Sequence, residues 1–127
     1  MPGLSTNYNL VSVVDNMEGF EILLSDDSND KKGIRIIFKN SVESYRCSDE
    51  TYRLKTFEDL SDQHGTKFYA EWSFFRVLNS RYLHWLSEQS CGISDSRPLM
   101  HFSFFTTNSI LDIITSYEPK VEFVESK

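Results

Sequence analysis

Three short runs near the start of the chain, NLVSVVD (9–15), GFEILLSD (19–26) and GIRIIFKN (33–40), restrict the fold more than any other feature of the sequence. In the second, Phe20, Ile22 and Leu24 share one side of an extended backbone, opposite Glu21 and Leu23. In the third, Ile34, Ile36 and Phe38 stand against Arg35 and Ile37. A period of two is that of a half-buried strand, because successive side chains of a strand point to opposite faces. Asn16-Met17-Glu18-Gly19 reads as a hairpin turn between the first two runs, and DDSNDKKG (26–33) as an exposed polar loop. The expected opening is therefore a three-stranded meander.

Residues 41–65 show no sustained apolar period, although SVESYRC extends naturally as a fourth strand anchored by Val42 and Tyr45. In KFYAEWSFFRVLNS (67–80), Phe68, Ala70, Trp72 and Phe74 lie on one face. The pattern then changes register at Phe74-Phe75 so that Phe75 and Val77 continue inward, as a bulged central strand would. Asn79 or Ser80 is placed to cap a helix over SRYLHWLSEQS, with Tyr82, Trp85, Leu86 and Gln89 at helical spacing and Gly92 as the stop. PLMHFSFFTT (98–107) alternates Met100, Phe102 and Phe104 against His101 and Ser103, a core strand. Asn108 is read as the cap of a second short helix through SILDIITSY, Pro119 as its end, and KVEFVES as a closing edge strand. The order implies an α+β fold: a single domain over 1–127, mainly antiparallel sheet with two short helices packed on one face.

Ten Phe, six Tyr and two Trp in 127 residues supply enough apolar surface for such a domain to fold unaided. The N-terminal MPGLSTNYN has no basic stretch leading into an apolar one, and no apolar run approaches the roughly 20 residues of a membrane span. A cytoplasmic location without membrane contact is expected, with Cys47 and Cys91 as free thiols. The net charge of −6 is uneven: residues 1–65 hold seven basic and twelve acidic side chains, residues 66–127 six and seven. A negative field repels phosphate backbones and draws in basic proteins, so nucleic acid is disfavoured as a partner.

Chemistry-bearing patterns are sparse. The five glycines are isolated and form no phosphate cradle. His64, His84 and His101 do not fall at ligand spacing from one another or from the cysteines, so no metal and no cofactor is expected. His101 reads either as a general base, if a carboxylate orients it, or as a strand histidine hydrogen-bonded to backbone or water. Arg46 beside Cys47 would lower the thiol's pKa if it lay close, against the alternative of an inert thiol at a strand end. Trp72 and Trp85 are assigned to core packing because too little basic charge surrounds them for base stacking. In YRCSDETYRLKTFEDLSDQHG (45–65), Tyr45, Arg46, Asp49 and Glu50 combine an aromatic anchor, a forked donor and two carboxylates. An Arg46 ion pair with Asp49 or Glu50 that pins the connection and a partner-binding surface both fit this run.

The segment SYRCSDE, with Tyr45-Arg46 ahead of Asp49-Glu50, is followed by an aromatic strand, by Ser80-Arg81-Tyr82-Leu83-His84-Trp85, and by the His101 strand leading through Asn108 to Glu118-Pro119. Over roughly 45–124 this pattern resembles small bacterial proteins encoded beside polymorphic or contact-dependent toxins, the immunity proteins. The resemblance implies a non-enzymatic protein that occludes a cognate toxin. A basic toxin would suit its charge. The exposed carboxylates Asp26, Asp27, Asp30, Glu43, Asp49, Glu50, Glu58, Asp59 and Asp62 are then candidate contacts, with Tyr45, Arg46 and Tyr52 as anchors. A regulatory interaction protein and a small hydrolase using His101 are the competing readings.

Overall fold

The computed structural model describes residues 8–26, 29–39, 42–49, 53, 74–78, 80–107 and 109–125, the side chains of Asn29 and Asp30 excepted. Strands β1 (Tyr8–Asn16), β2 (Gly19–Asp26) and β3 (Asn29–Phe38) form the expected meander. At the β1–β2 turn Asn16 Oδ1 accepts from the Glu18 N–H at 2.9 Å, and Gly19 has φ +134°, a value that L side chains rarely adopt. β3 begins at Asn29, so much of what reads as the loop 26–33 belongs to the hairpin. The last strand, β8 (Lys120–Glu125), pairs antiparallel with β3 and completes a four-stranded sheet of order β1-β2-β3-β8, as an edge strand.

A second antiparallel sheet has the order β4-β7-β6-β5, from β4 (Val42–Asp49), β5 (Phe74–Val77), β6 (Met100–Phe105) and β7 (Ser109–Thr115). The two sheets face each other across one apolar core. Phe20, Ile22, Leu24, Ile34, Ile36 and Phe38 come from the first sheet, and Phe74, Phe102, Phe104, Leu111 and Ile113 from the second. Phe38 meets Phe102 and Phe104 across the interface at centroid distances of 6.5 and 6.4 Å. The opposite face of the second sheet carries His101, Ser103, Phe105, Ile110, Asp112 and Ile114, all buried as well. Helix α1 (Arg81–Gln89) lies over that face with Tyr82 buried beneath it.

Ser80 caps α1: its Oγ accepts the Leu83 N–H at 3.0 Å. Cys91 (φ 54°) and Gly92 (φ 85°) both take the left-handed conformation and turn the chain into a 3-10 segment, Ile93–Ser96. Of the helix face expected to pack inward, Tyr82 does so but Trp85 stays 49% exposed, so core packing does not account for that indole.

The molecule is thus mostly antiparallel sheet, with one α-helix and one 3-10 turn among the described residues. The helix expected over 109–117 is instead, over Ser109–Thr115, β7, the interior strand between β4 and β6, and its expected cap Asn108 lies outside the described residues. Ile110, Leu111, Ile113 and Ile114 are apolar on both sides because both sides are covered, and a run of this kind has no strand alternation to betray it. The bulge expected at Phe74-Phe75 is also absent: Phe74, Phe75, Arg76 and Val77 pair in regular steps with Phe104, Ser103, Phe102 and His101. Phe75 faces the helix side and meets Phe105 at 5.3 Å, so consecutive phenylalanines serve two buried faces. Phe68, Ala70 and Trp72 lie outside the described residues.

Candidate functional site

The two-sided burial of the second sheet brings together a polar cluster that its sequence positions do not announce. Asp112 projects from β7 toward the helix side, where only 2% of its side chain is exposed. Its register partner on β4 is Arg46, whose Nε donates to Oδ2 at 2.9 Å. Arg53 Nη1 donates to the same oxygen at 2.7 Å. His101 Nε2 lies 2.6 Å from Oδ1. A carboxylate has only acceptors, so Nε2 carries the proton and donates. On the other side of the ring, Nδ1 lies 2.6 Å from Ser80 Oγ. In the neutral ring the hydroxyl donates to Nδ1 while its oxygen accepts from Leu83, and each polar atom of the chain Leu83–Ser80–His101–Asp112 is matched.

A second arm runs through Tyr82. Its hydroxyl shares a 2.5 Å hydrogen bond with Ser44 Oγ, and its ring stands edge-on to His101 at 5.5 Å. The Arg46 guanidinium lies over the same ring, 4.3 Å from its centroid. Burial pushes the Tyr82 pKa up, while the bond from Ser44 and the Arg46 charge pull the other way. For Asp112, burial alone would raise the pKa, but hydrogen bonds from His101, Arg53 and Arg46 outweigh it and hold the carboxyl well below the usual range.

A serine, a histidine and an aspartate in hydrogen-bonded sequence invite comparison with a nucleophilic triad. In such a triad the imidazole takes the serine proton on Nε2 and is oriented by the carboxylate on Nδ1. Here the ring nitrogens are reversed. Ser80 Oγ is also committed to the helix cap, His101 is 4% exposed, and Asp112 is clamped by two guanidiniums. The geometry is that of a completed polar pin between strand, helix cap and connection.

Of the residues singled out as partner contacts, Asp26 ends β2 half-buried, and Asp30 lies in β3. On β4, Glu43, Tyr45 and Asp49 are exposed. Glu43 accepts from Arg97 Nη1 at 2.8 Å, and Tyr45 packs on Phe20 with centroids 4.8 Å apart. Arg46 pairs with Asp112 rather than with the anticipated Asp49. Asp27, Glu50, Tyr52, Glu58, Asp59 and Asp62 lie outside the described residues. Cys47 and Cys91 are exposed free thiols, and burial raises the Cys47 pKa, opposite to the lowering that a neighbouring guanidinium would bring. Among the described residues, no three His, Cys, Asp or Glu side chains group as metal ligands, and no helix is long and apolar enough to cross a membrane.

Neither the pairing of His101 with Ser80 and Asp112 nor that of Arg53 with Asp112 is legible in the spacing of the sequence. The one available signal was a lone aspartate inside the apolar run ILDII: a charge in such a run is buried and must be paired. No family model matches the chain, and no characterised protein or solved structure matches it.

Proposed function

We propose that this chain is an immunity protein: a non-enzymatic α+β domain of the bacterial cytoplasm that binds a cognate basic toxin and covers its active surface. The observation that carries the reading is the net charge of −6, concentrated in residues 1–65. An acidic surface steers a basic protein into encounter and suppresses wrong partners. The sequence pattern shared with immunity proteins points the same way. The polar cluster adds support, since its nucleophile and base candidates are spent on one another and on the helix cap.

A small hydrolase built on His101 is the second reading, favoured by the unbroken contacts from Ser80 through His101 to Asp112. One experiment separates the two. The product of the adjacent gene, which the proposal takes to be a basic toxin, is assayed for toxic activity with increasing amounts of the wild-type chain and of His101→Gln. An immunity protein abolishes the activity at one-to-one stoichiometry in both forms, provided the variant is folded. Full toxic activity in the presence of the wild-type chain would refute the proposal.

A further inference from the structure

Most of the described arginines either spend their guanidiniums on neighbouring carboxylates or project without a rigid support. Arg97 is bonded to Glu43, and Arg35 forms ion pairs with Glu21 and, at 3.9 Å, with Glu122. Arg46 is different. Its Nε is fixed by Asp112 at 2.9 Å, and its guanidinium carbon lies over the Tyr82 ring, 4.3 Å from the centroid. That ring is itself immobilised by the 2.5 Å bond to Ser44 and by its edge-on contact with His101. Yet 44% of the Arg46 side chain is exposed, on β4, an outer strand of its sheet. Among the described residues no acceptor meets its two terminal amino groups.

Asp112 Oδ2 is shared between two donors, accepting from Arg46 and from Arg53. We infer that Arg46 is the anchor of the partner interface and that its terminal amino groups receive a carboxylate of the bound protein. The inference rests on the proposed binding function and names one contact within it. A planar fork matches a carboxylate with two parallel hydrogen bonds. Because the side chain is already held in place, little rotamer entropy remains to be lost on binding. A nucleic-acid phosphate fits the same fork but is disfavoured by the overall field.

The test uses the full chain and the product of the adjacent gene, the partner of the proposed function. Arg46→Lys keeps the charge and loses both fork and stack. It is expected to raise Kd by about 30-fold, mostly through faster dissociation. Arg81→Lys, an exposed arginine on α1, should stay within about twofold of wild type, as surface changes outside a hot spot do. Neutralising the partner's acidic residues one at a time should find one whose loss is not additive with Arg46→Lys. If Arg46→Lys binds like wild type, or if all pairs are additive, the inference falls while the binding function stands. If the wild-type chain does not bind, both fall together. A readout that needs no variant is the Nη proton signals of Arg46 in the wild-type complex. They should show hindered rotation on binding, and unchanged signals overturn the assignment.

Discussion

Asp112 is a carboxylate in the middle of a strand buried on both sides, and its tolerance there depends on three donors arriving from β4, β6 and the connection at Arg53. Removing one partner of a buried ion pair leaves the others unpaired. Asp112→Asn should therefore cost about 3 kcal/mol of unfolding free energy at neutral pH, as read by urea denaturation. The pH dependence has a definite sign. A carboxyl whose pKa is lower in the folded than in the unfolded chain contributes stability above the unfolded value, near 3.9, and loses it as pH falls toward the folded value. The gap between wild type and Asp112→Asn should accordingly be full at neutral pH and shrink below about pH 4. A gap constant down to pH 2 would contradict the pairing. Gly33 is constrained differently: a Cβ there would collide with the carbonyl oxygen of Leu24 across the β2–β3 ladder. Gly33→Ala should lower stability by about 1–3 kcal/mol, a strain cost typical of overpacking, measured in the same urea titration.

At the scale of elements, β6 and β7 are interior strands buried on both faces, whereas β1, β8, β4 and β5 are the outer strands of their sheets. Amide hydrogen exchange should be slowest in 102–105 and 110–114 and faster in β1 and β8. Leu111→Ala, at a position with no exposed surface, should cost about 2–5 kcal/mol. Comparable exchange in β8 and β7 would mean that β7 is not the interior strand.

The elements legible in the sequence were those with one wet face. Phe20-Ile22-Leu24 and Ile34-Ile36-Phe38 alternate because Glu21, Arg35 and Glu122 form a charged ladder on the opposite, exposed side. Helix α1 was legible from its cap and its spacing. What could not be read was the strand at 109–115, where burial on both sides removes the alternation and leaves a run equally consistent with a helix. The polar cluster was hidden with it. A helical reading of 109–117 removes Asp112 from the position directly opposite Arg46 and diagonal to His101 that β7 gives it.

At the scale of the whole molecule, ion pairs inside the structure leave the net charge unchanged. Asp112, Glu21 and Glu122 are paired within the structure. The excess of acid gives the protein its long-range field. Ions of the buffer screen that field over about 10 Å at 0.1 M salt, whereas they barely touch short-range packing. Electrostatic steering is therefore separable from the contacts that hold a complex together. The most direct measurement is the association rate constant of the wild-type chain with the product of the adjacent gene, the proposed toxin, followed from low to high ionic strength. Steering by the acidic surface predicts a fall of at least about tenfold between 20 mM and 500 mM salt, with the dissociation rate nearly constant. An association rate indifferent to salt, or no complex at any ionic strength, would contradict it.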